Sequence, residues 1–412
     1  MGETLRLLTF TTLFPNAGRP HHGVFVENRL RHLLADGGVA ATVMAPVPWF
    51  PDALARLRPG SDWARHTQAA PVQQRDGITI LHPHYIVVPR VGMTVAPALL
   101  YAASRRALTA ARRDGLQFDL IDAHYLYPDG VAAVALGRHF GVPVVITARG
   151  SDVTQLPDYL APRRMIRWAM READALISVS AGLKAAMVAL DADPSRITVL
   201  RNGVDLAMFT PQDRAAARAR LGLDGQVLLS VGLLNDRKGH HRVIAGLALL
   251  PGWRLLVVGD GPDRAKLGAL AATLGVADRV NFVGPVPHAE LPLYYSAADA
   301  LVLASSREGW ANVLLEAMAC GTPVVASPIP GNPEVVQEPA AGVIMPENSG
   351  AGVAAGVQDL LSVRRPAAET RAYAERFSWD ATSAGQRAVF AQALARHSWR
   401  TRQTGHTRRP AG

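Results

Sequence analysis

Two glutamates, Glu308 and Glu316, stand with seven residues between them in EGWANVLLEAMACGTPVVAS, residues 308–327. Gly321, Thr322 and Pro323 read as a helix stop, because glycine tolerates the left-handed position after a last turn and proline cannot continue it. A short apolar helix therefore opens at Ala311 to Leu314, after Gly309 and Trp310. The backbone N–H groups of Asn312, Val313 and Leu314 and the positive end of the helix dipole suit a phosphate. With Glu308 ahead of that seat and Glu316 about two turns beyond its start, the carboxylates could bracket a ligand with phosphate in the middle and hydroxyls at both ends. A nucleotide sugar is laid out that way. A capping acid followed by a solvated helix acid is the plainer account of the same pair.

The elements around this stretch alternate strand and helix. LRLLTFTTLFP (5–15), the helical FVENRLRHLLADG and VAATVMAPVPWFP open the chain as a strand, helix, strand unit of the kind that builds a parallel sheet. FDLIDAHYLYP, VPVVITARGSDV and ALISVS follow as strands, and ITVLRNGVDLAMFTPQD reads as a last strand and a linker. The pattern restarts with QVLLSVGLLN, WRLLVVGDGP, RVNFVGPVP and ALVLASS. The expectation is an α/β chain of two doubly wound halves, 1–206 and 207–378, with a helix near 379–397 and a basic disordered tail over 398–412. Residues 51–100, rich in Pro and Arg, carry no legible chemistry beyond the strand-like ITILHPHYIVVP.

Polar loops at strand ends fall on the carboxyl edge of such sheets, where ligands bind. In SVGLLNDRKGHH (230–241), Gly232 ends a strand, and Arg237 and Lys238 are placed to meet a diphosphate, although a solvated surface turn fits as well. Only Lys184, Lys238 and Lys266 of the 43 cations are lysine, so a Lys followed by Gly here suggests a positional need. LLVVGDGP offers a tight turn at Gly259 and Gly261, RVNFVGPVP carries Val283, and IPGNPEVV carries Glu334. In the first half, DAHYLYPDG and TARGSDV put His124, Arg149 and Asp152 at strand tips, and NAGRPHHG ends in Gly23. The adjacent pairs His21/His22 and His240/His241 lack helical ligand spacing and a third partner, so no metal site is read.

In motif, order and spacing the second half, and less fully the first, resembles family 4 of the retaining glycosyltransferases, with its E-x7-E signature. The resemblance implies a GT-B fold: two Rossmann-like domains facing across a cleft, the last helix returning to the first domain. In that family the first Glu contacts sugar hydroxyls and the second holds the ribose, which here implies Glu308 and Glu316. The loop at Gly259 and Gly261 would approach sugar and phosphate, Val283 would lie near the base, and Gly23 would give a close backbone approach to the donor. Departures stand at Leu233, where the family has an Arg on the phosphates, at Pro330 for a Gly, and at Arg149 for a His beside the donor sugar. Arg237 is the candidate replacement for the first, and Arg149, which cannot act as a base, would stabilise the departing phosphate. His124 would hydrogen-bond an acceptor or sugar hydroxyl, or serve structurally.

The implied reaction moves a sugar from a UDP- or GDP-sugar to a glycan or lipid-linked acceptor of a bacterial envelope, with no metal. A binding protein with lost activity and a nucleotide-sugar 2-epimerase remain as alternatives. Composition bounds these readings. At 412 residues and 49% apolar content the chain can hold two sizeable cores, and its single Cys320 points to a reducing compartment. No signal peptide is read at MGETLRLLTF, and Val91 to Ser104 is too short to span a membrane. A cytoplasmic location follows as the expectation. The net charge of +9 comes largely from arginines, a bias that reads as genome composition as much as selection for a partner, with some excess in the tail, and no nucleic-acid partner is expected. Helix RRMIRWAMREAD, with Arg163, Arg164, Arg167 and Arg171, fits either an anionic membrane surface or the plain surface of an Arg-rich protein.

Overall fold

The computed structural model describes residues 4–20, 22–49, 69–87, 92–363 and 365–406. His21, Val91 and the end of the expected tail, 407–412, lie outside these residues. The chain divides into two compact units. Unit 1 takes the described residues up to Val179, Leu183–Leu200 and those from Asp380 on; unit 2 takes Ser180–Gly182 and Arg201–Trp379.

Unit 1 is built on strands β1 (Leu5–Phe10), β2 (Val39–Met44), β4 (Val72–Arg75), β5 (Ile78–Leu81), β7 (Leu120–His124), β8 (Val144–Ala148), β9 (Ala175–Ser178) and β10 (Ile197–Val199), with β3 (Val47–Trp49) and β6 (His84–Ile86) as a separate pair. The eight run in the order β10-β9-β8-β7-β1-β2-β5-β4, and only β4 is antiparallel to its neighbour. β7 and β8 are buried along their whole length, as expected of strands covered on both faces. The exits of β1, β7 and β8 therefore share one edge of the sheet.

The last helix, Trp379–His406, runs nine residues past the end expected at His397, so 398–406 is helix and not the start of a disordered tail. Nothing between 398 and Gly405 breaks a helix, and its inner face supplies Val389, Phe390 and Ala393 to the core of Leu7, Leu33, Leu120 and Val145.

Unit 2 carries a parallel sheet of β11 (Gln226–Val231), β12 (Trp253–Val258), β13 (Val280–Gly284), β14 (Ala300–Leu303), β15 (Val324–Ala326) and β16 (Gly342–Ile344), in the order β13-β12-β11-β14-β15-β16. Helix His240–Ala248 packs Val243, Ile244 and Leu247 against Leu228, Leu255 and Val302 of the sheet. The loops after β11, β12, β14 and β15 all leave from one edge, and residues singled out above sit on each of them. Among the described residues no helix is long and apolar enough to cross a membrane.

Candidate functional site

Past β11, the chain turns at Gly232 (φ 149°), and the methylenes of Lys238 lie 3.4–3.5 Å from where a Cβ on that glycine would be. Asn235 caps the turn Asp236–Lys238 by accepting the Lys238 amide at 3.1 Å. Gly239 then passes so close to Ala304 that a Cβ would stand 1.9 Å from its carbonyl oxygen. The result is a fixed course for Lys238, whose Nζ donates to Glu308 Oε1 at 2.7 Å. Ser305 Oγ donates to the same oxygen at 2.7 Å, and Arg237 Nη1 stands 3.7 Å from Oε2. The Glu308 side chain is only 7% exposed. Burial works against its charge, but Lys238 and Arg237 outweigh that, and its pKa is lowered.

Helix Asn312–Ala319 begins after Ala311 and stops at Gly321, which takes φ 78° as its sequence predicts. The indole of Trp310 donates to Asn202 O at 3.1 Å, and Asn202 Nδ2 donates to Asn312 Oδ1 at 3.2 Å. The expected row of phosphate-ready amides is narrower than the sequence suggests. Asn312 N donates to Trp310 O and Leu314 N to Ala311 O, because the tight entry turn closes on itself. Val313, half-buried, is the remaining amide of the first turn.

Glu316, on the same helix, accepts from His288 Nε2 at 3.1 Å on one oxygen and from Tyr295 Oη at 2.8 Å on the other. Phe209 stands edge-on to both rings, at 5.1 and 6.0 Å. Burial lowers the basicity of His288, but its hydrogen bond to Glu316 and the charges of Glu316 and Asp205 prevail, and its pKa is raised. Burial and the Glu316 charge push Tyr295 well above the ordinary phenol range. Neither His288 nor Tyr295 is marked by any motif; only their spacing from Glu316 in three dimensions identifies them.

The glycines have a close neighbour in the protein's own main chain. A Cβ on Gly259 would lie 2.0 Å from Gly232 O, and one on Gly261 would lie 2.4 Å from Leu234 O. These residues let the β11 and β12 exits cross. A Cβ on Gly23 (φ 73°) would likewise lie 2.2 Å from Leu13 O. Val283, on edge strand β13, lines a small cavity of about 270 Å³ with Leu256, Phe282 and Tyr294. Glu334 accepts the amides of Ala181 and Gly182, both at 2.8 Å, and pairs with Arg201 at 3.0 Å.

In unit 1, Asp152 does not reach outward. Its carboxylate accepts backbone amides of Leu126 (2.8 Å), Arg149 (3.1 Å) and Gly150 (2.7 Å), which makes it the clasp of the loop after β8. Burial outweighs those hydrogen bonds and raises its pKa. His124 is 1% exposed, with Nδ1 2.7 Å from Arg149 Nη2 and Nε2 3.3 Å from Asp122 Oδ2. Both ring nitrogens have internal partners, which agrees with the structural one of the two roles read for His124. Arg149 lies over Phe25, 5.4 Å from the ring centroid.

The profile of glycosyl transferases group 1 matches residues 212–377, and that of glycosyltransferase family 4 matches residues 23–208. A D-inositol 3-phosphate glycosyltransferase from Mycobacteroides abscessus is 34% identical over 310 residues, which is 68% of this chain and 67% of that protein. Sucrose-phosphate synthase from Thermosynechococcus elongatus has a similar structure, with a TM-score of 0.78 and 22% identity over 95% of this chain and 100% of the other. Anabaena HepE in complex with UDP-glucose aligns with a TM-score of 0.68 and 20% identity, over 95% of this chain and 99% of its own.

Proposed function

This chain belongs to the glycosyltransferases, with a GT-B fold, and from that membership we propose that it moves a sugar from a UDP- or GDP-sugar to a glycan or lipid-linked acceptor with retention of configuration. The observation that carries the reading is the placement of Lys238 and Glu308 in contact at 2.7 Å, just before a helix that carries Glu316. In this reading Lys238 is a cation for the diphosphate, Glu308 an acid for sugar hydroxyls and Glu316 a second acid for ribose. Arg237 and the Val313 amide would complete the phosphate contacts. Arg149 is assigned to the departing phosphate. In the proposed step the bond from sugar C1 to the diphosphate oxygen breaks, C1 bonds the acceptor oxygen on the same face, and the acceptor proton passes to the leaving diphosphate. Electrostatic stabilisation of that diphosphate is then the main catalytic contribution.

The HepE structure, which holds UDP-glucose, makes UDP the first nucleotide to test. Calorimetry with UDP and GDP, followed by incubation of labelled donors with membrane extracts and with D-inositol 3-phosphate, reads donor and acceptor together. A glycosylated product of inverted anomeric configuration would exclude the retaining step. Binding without any product would leave a nucleotide-sugar-binding protein.

We place the enzyme on the cytoplasmic face of the envelope, in polysaccharide or lipid-linked glycan synthesis. Helix Leu160–Glu172 supports a peripheral contact, with Tyr159 and Leu160 exposed at its start and Arg164 exposed on its surface. Arg167 and Arg171 pair with Asp191 and Glu172, so the contact would be weak and salt-sensitive. Sedimentation with anionic and neutral vesicles tests it; no sedimentation with either would remove the membrane contact, and equal sedimentation with both would remove the role of the arginines.

A further inference from the structure

The unit 1 residues around Arg149 form a longer chain than the loop motifs reveal. Arg149 Nη2 stands 2.7 Å from His124 Nδ1, and His124 Nε2 stands 3.3 Å from Asp122 Oδ2. The same Oδ2 accepts from Gln386 Nε2 at 3.0 Å, and Gln386 Oε1 accepts from Arg29 Nε at 3.0 Å. Arg29 Nη1 donates in turn to Leu200 O at 3.1 Å. All five side chains are at most 9% exposed.

The chemistry allows one proton arrangement. A guanidinium can only donate, so His124 Nδ1 must present its lone pair, and the single ring proton sits on Nε2 facing Asp122. Gln386 is fixed in the same way, its nitrogen toward a carboxylate and its oxygen toward a guanidinium. Burial, opposed by Asp122 and reinforced by Arg149 and Arg29, holds the His124 pKa down to about 4, so the neutral ring persists at ordinary pH.

We propose that His124 is a positioning residue that holds the Arg149 guanidinium, and that Asp122, Gln386 and Arg29 keep His124 in the tautomer able to do so. The proposal rests on the reading above in which Arg149 stabilises the departing phosphate. It gives the terminal helix a role in catalysis through Gln386, some 264 residues from Asp122 in sequence. A long, flexible side chain contributes most when its geometry is set before the reaction.

The test is a double-mutant cycle on the full chain, reading turnover of whichever of UDP-glucose and GDP-mannose the protein binds. Arg149→Ala is expected to lower kcat by about a hundredfold and His124→Ala by about tenfold. Donor KM should stay near wild type; the melting temperature should fall, because each truncation leaves a buried polar partner unpaired, so rates are compared at a temperature where every variant is folded. The double variant should be no slower than Arg149→Ala alone, and His124→Gln, which can accept from Arg149 and donate to Asp122, should recover most of the rate. Should His124→Ala fail to fold, His124→Phe keeps the ring volume and carries the same cycle. If Arg149→Ala retains full kcat, the phosphate role of Arg149 falls and the positioning role with it. If Arg149→Ala is slow but the His124 loss is undiminished in its background, the positioning role alone is overturned.

Discussion

Glu316 offers the sharpest separation of ligand chemistry from stability. Its carboxylate accepts from buried Tyr295 at 2.8 Å and from His288 at 3.1 Å. Each hydrogen bond to a charged acceptor is worth about 1.5–3 kcal/mol, and an orphaned buried hydroxyl costs about 1–3 kcal/mol. Glu316→Ala removes both bonds and strands the Tyr295 hydroxyl, so unit 2 should lose on the order of 3–5 kcal/mol, or roughly 10 °C in melting temperature. Glu316→Gln is the better probe. It keeps an oxygen for Tyr295, gives up the charge, and should cost about 1–2 kcal/mol. If the carboxylate also takes the ribose hydroxyls, Glu316→Gln should weaken UDP or GDP binding by about tenfold, near 1.4 kcal/mol, in calorimetry. Its pH signature has a definite sign. Because Glu316 raises the His288 pKa above 6.5, that contribution to stability is complete below about pH 6.5 and is lost as pH rises through the folded value. Glu316→Gln should flatten this slope. A folded Glu316→Gln protein that binds UDP and GDP as tightly as wild type would refute the ribose role, and an unshifted His288 titration by NMR would refute the coupling.

Three further perturbations test other features of the same chemistry. Glu308→Gln should cut transfer at least tenfold while changing nucleotide affinity by less than about threefold; full activity would end the sugar-hydroxyl assignment. The same substitution should abolish an acid-side loss of stability, since a depressed carboxylate pKa stabilises above about 4.5 and that share is lost as pH falls through the folded value. Arg237→Ala should weaken UDP or GDP binding but leave uridine or guanosine binding alone, and equal losses on both would return Arg237 to a surface role. Asp129, fully buried against Thr12, has its pKa pushed up to about 7 by burial and by Asp152. The stability tied to its protonated form is complete below about 3.8 and fades as pH rises through about 7. Asp129→Asn should therefore gain on wild type by a few kcal/mol between pH 4 and pH 8 in denaturant titrations; parallel curves would show that Asp129 ionises at an ordinary pH.

Much of the architecture is legible because buried parallel strands announce themselves. VLLSV is apolar but for Ser230 and ALVL is a continuous apolar run, and Gly321 stops its helix where the residue type says it should. The end of the last helix is less legible for an equally physical reason. HSWRTRQTG is polar and basic, which resembles a tail, but it contains no helix breaker before Gly405, and the preceding turns are anchored by Phe390 and Ala393. Lys238 could be singled out because lysine is rare in this chain, and its contact with Glu308 crosses 70 residues. His288 and Tyr295 could not, since nothing in HAELPLYY distinguishes a partner of Glu316 from a surface histidine and a core tyrosine.

The glycines show why residue type alone leaves the roles open. A positive φ or a missing Cβ records that something lies close to the backbone, without saying what. At Gly23, Gly259 and Gly261 the close neighbour is another stretch of main chain, within 2.0–2.4 Å of where a Cβ would be. A side chain there would force neighbouring backbone segments apart before it touched any ligand. The same ambiguity governs His124 and Asp152. A polar residue at a strand tip can face a substrate or hold the residue that does, and only the partners of its polar atoms decide. Asp152 spends both oxygens on amides, and His124 spends both nitrogens on Asp122 and Arg149. In unit 1 these atoms serve to shape a loop and to aim one guanidinium, so substitutions at Asp152 and His124 should be read through Arg149 before they are read as lost contacts with substrate.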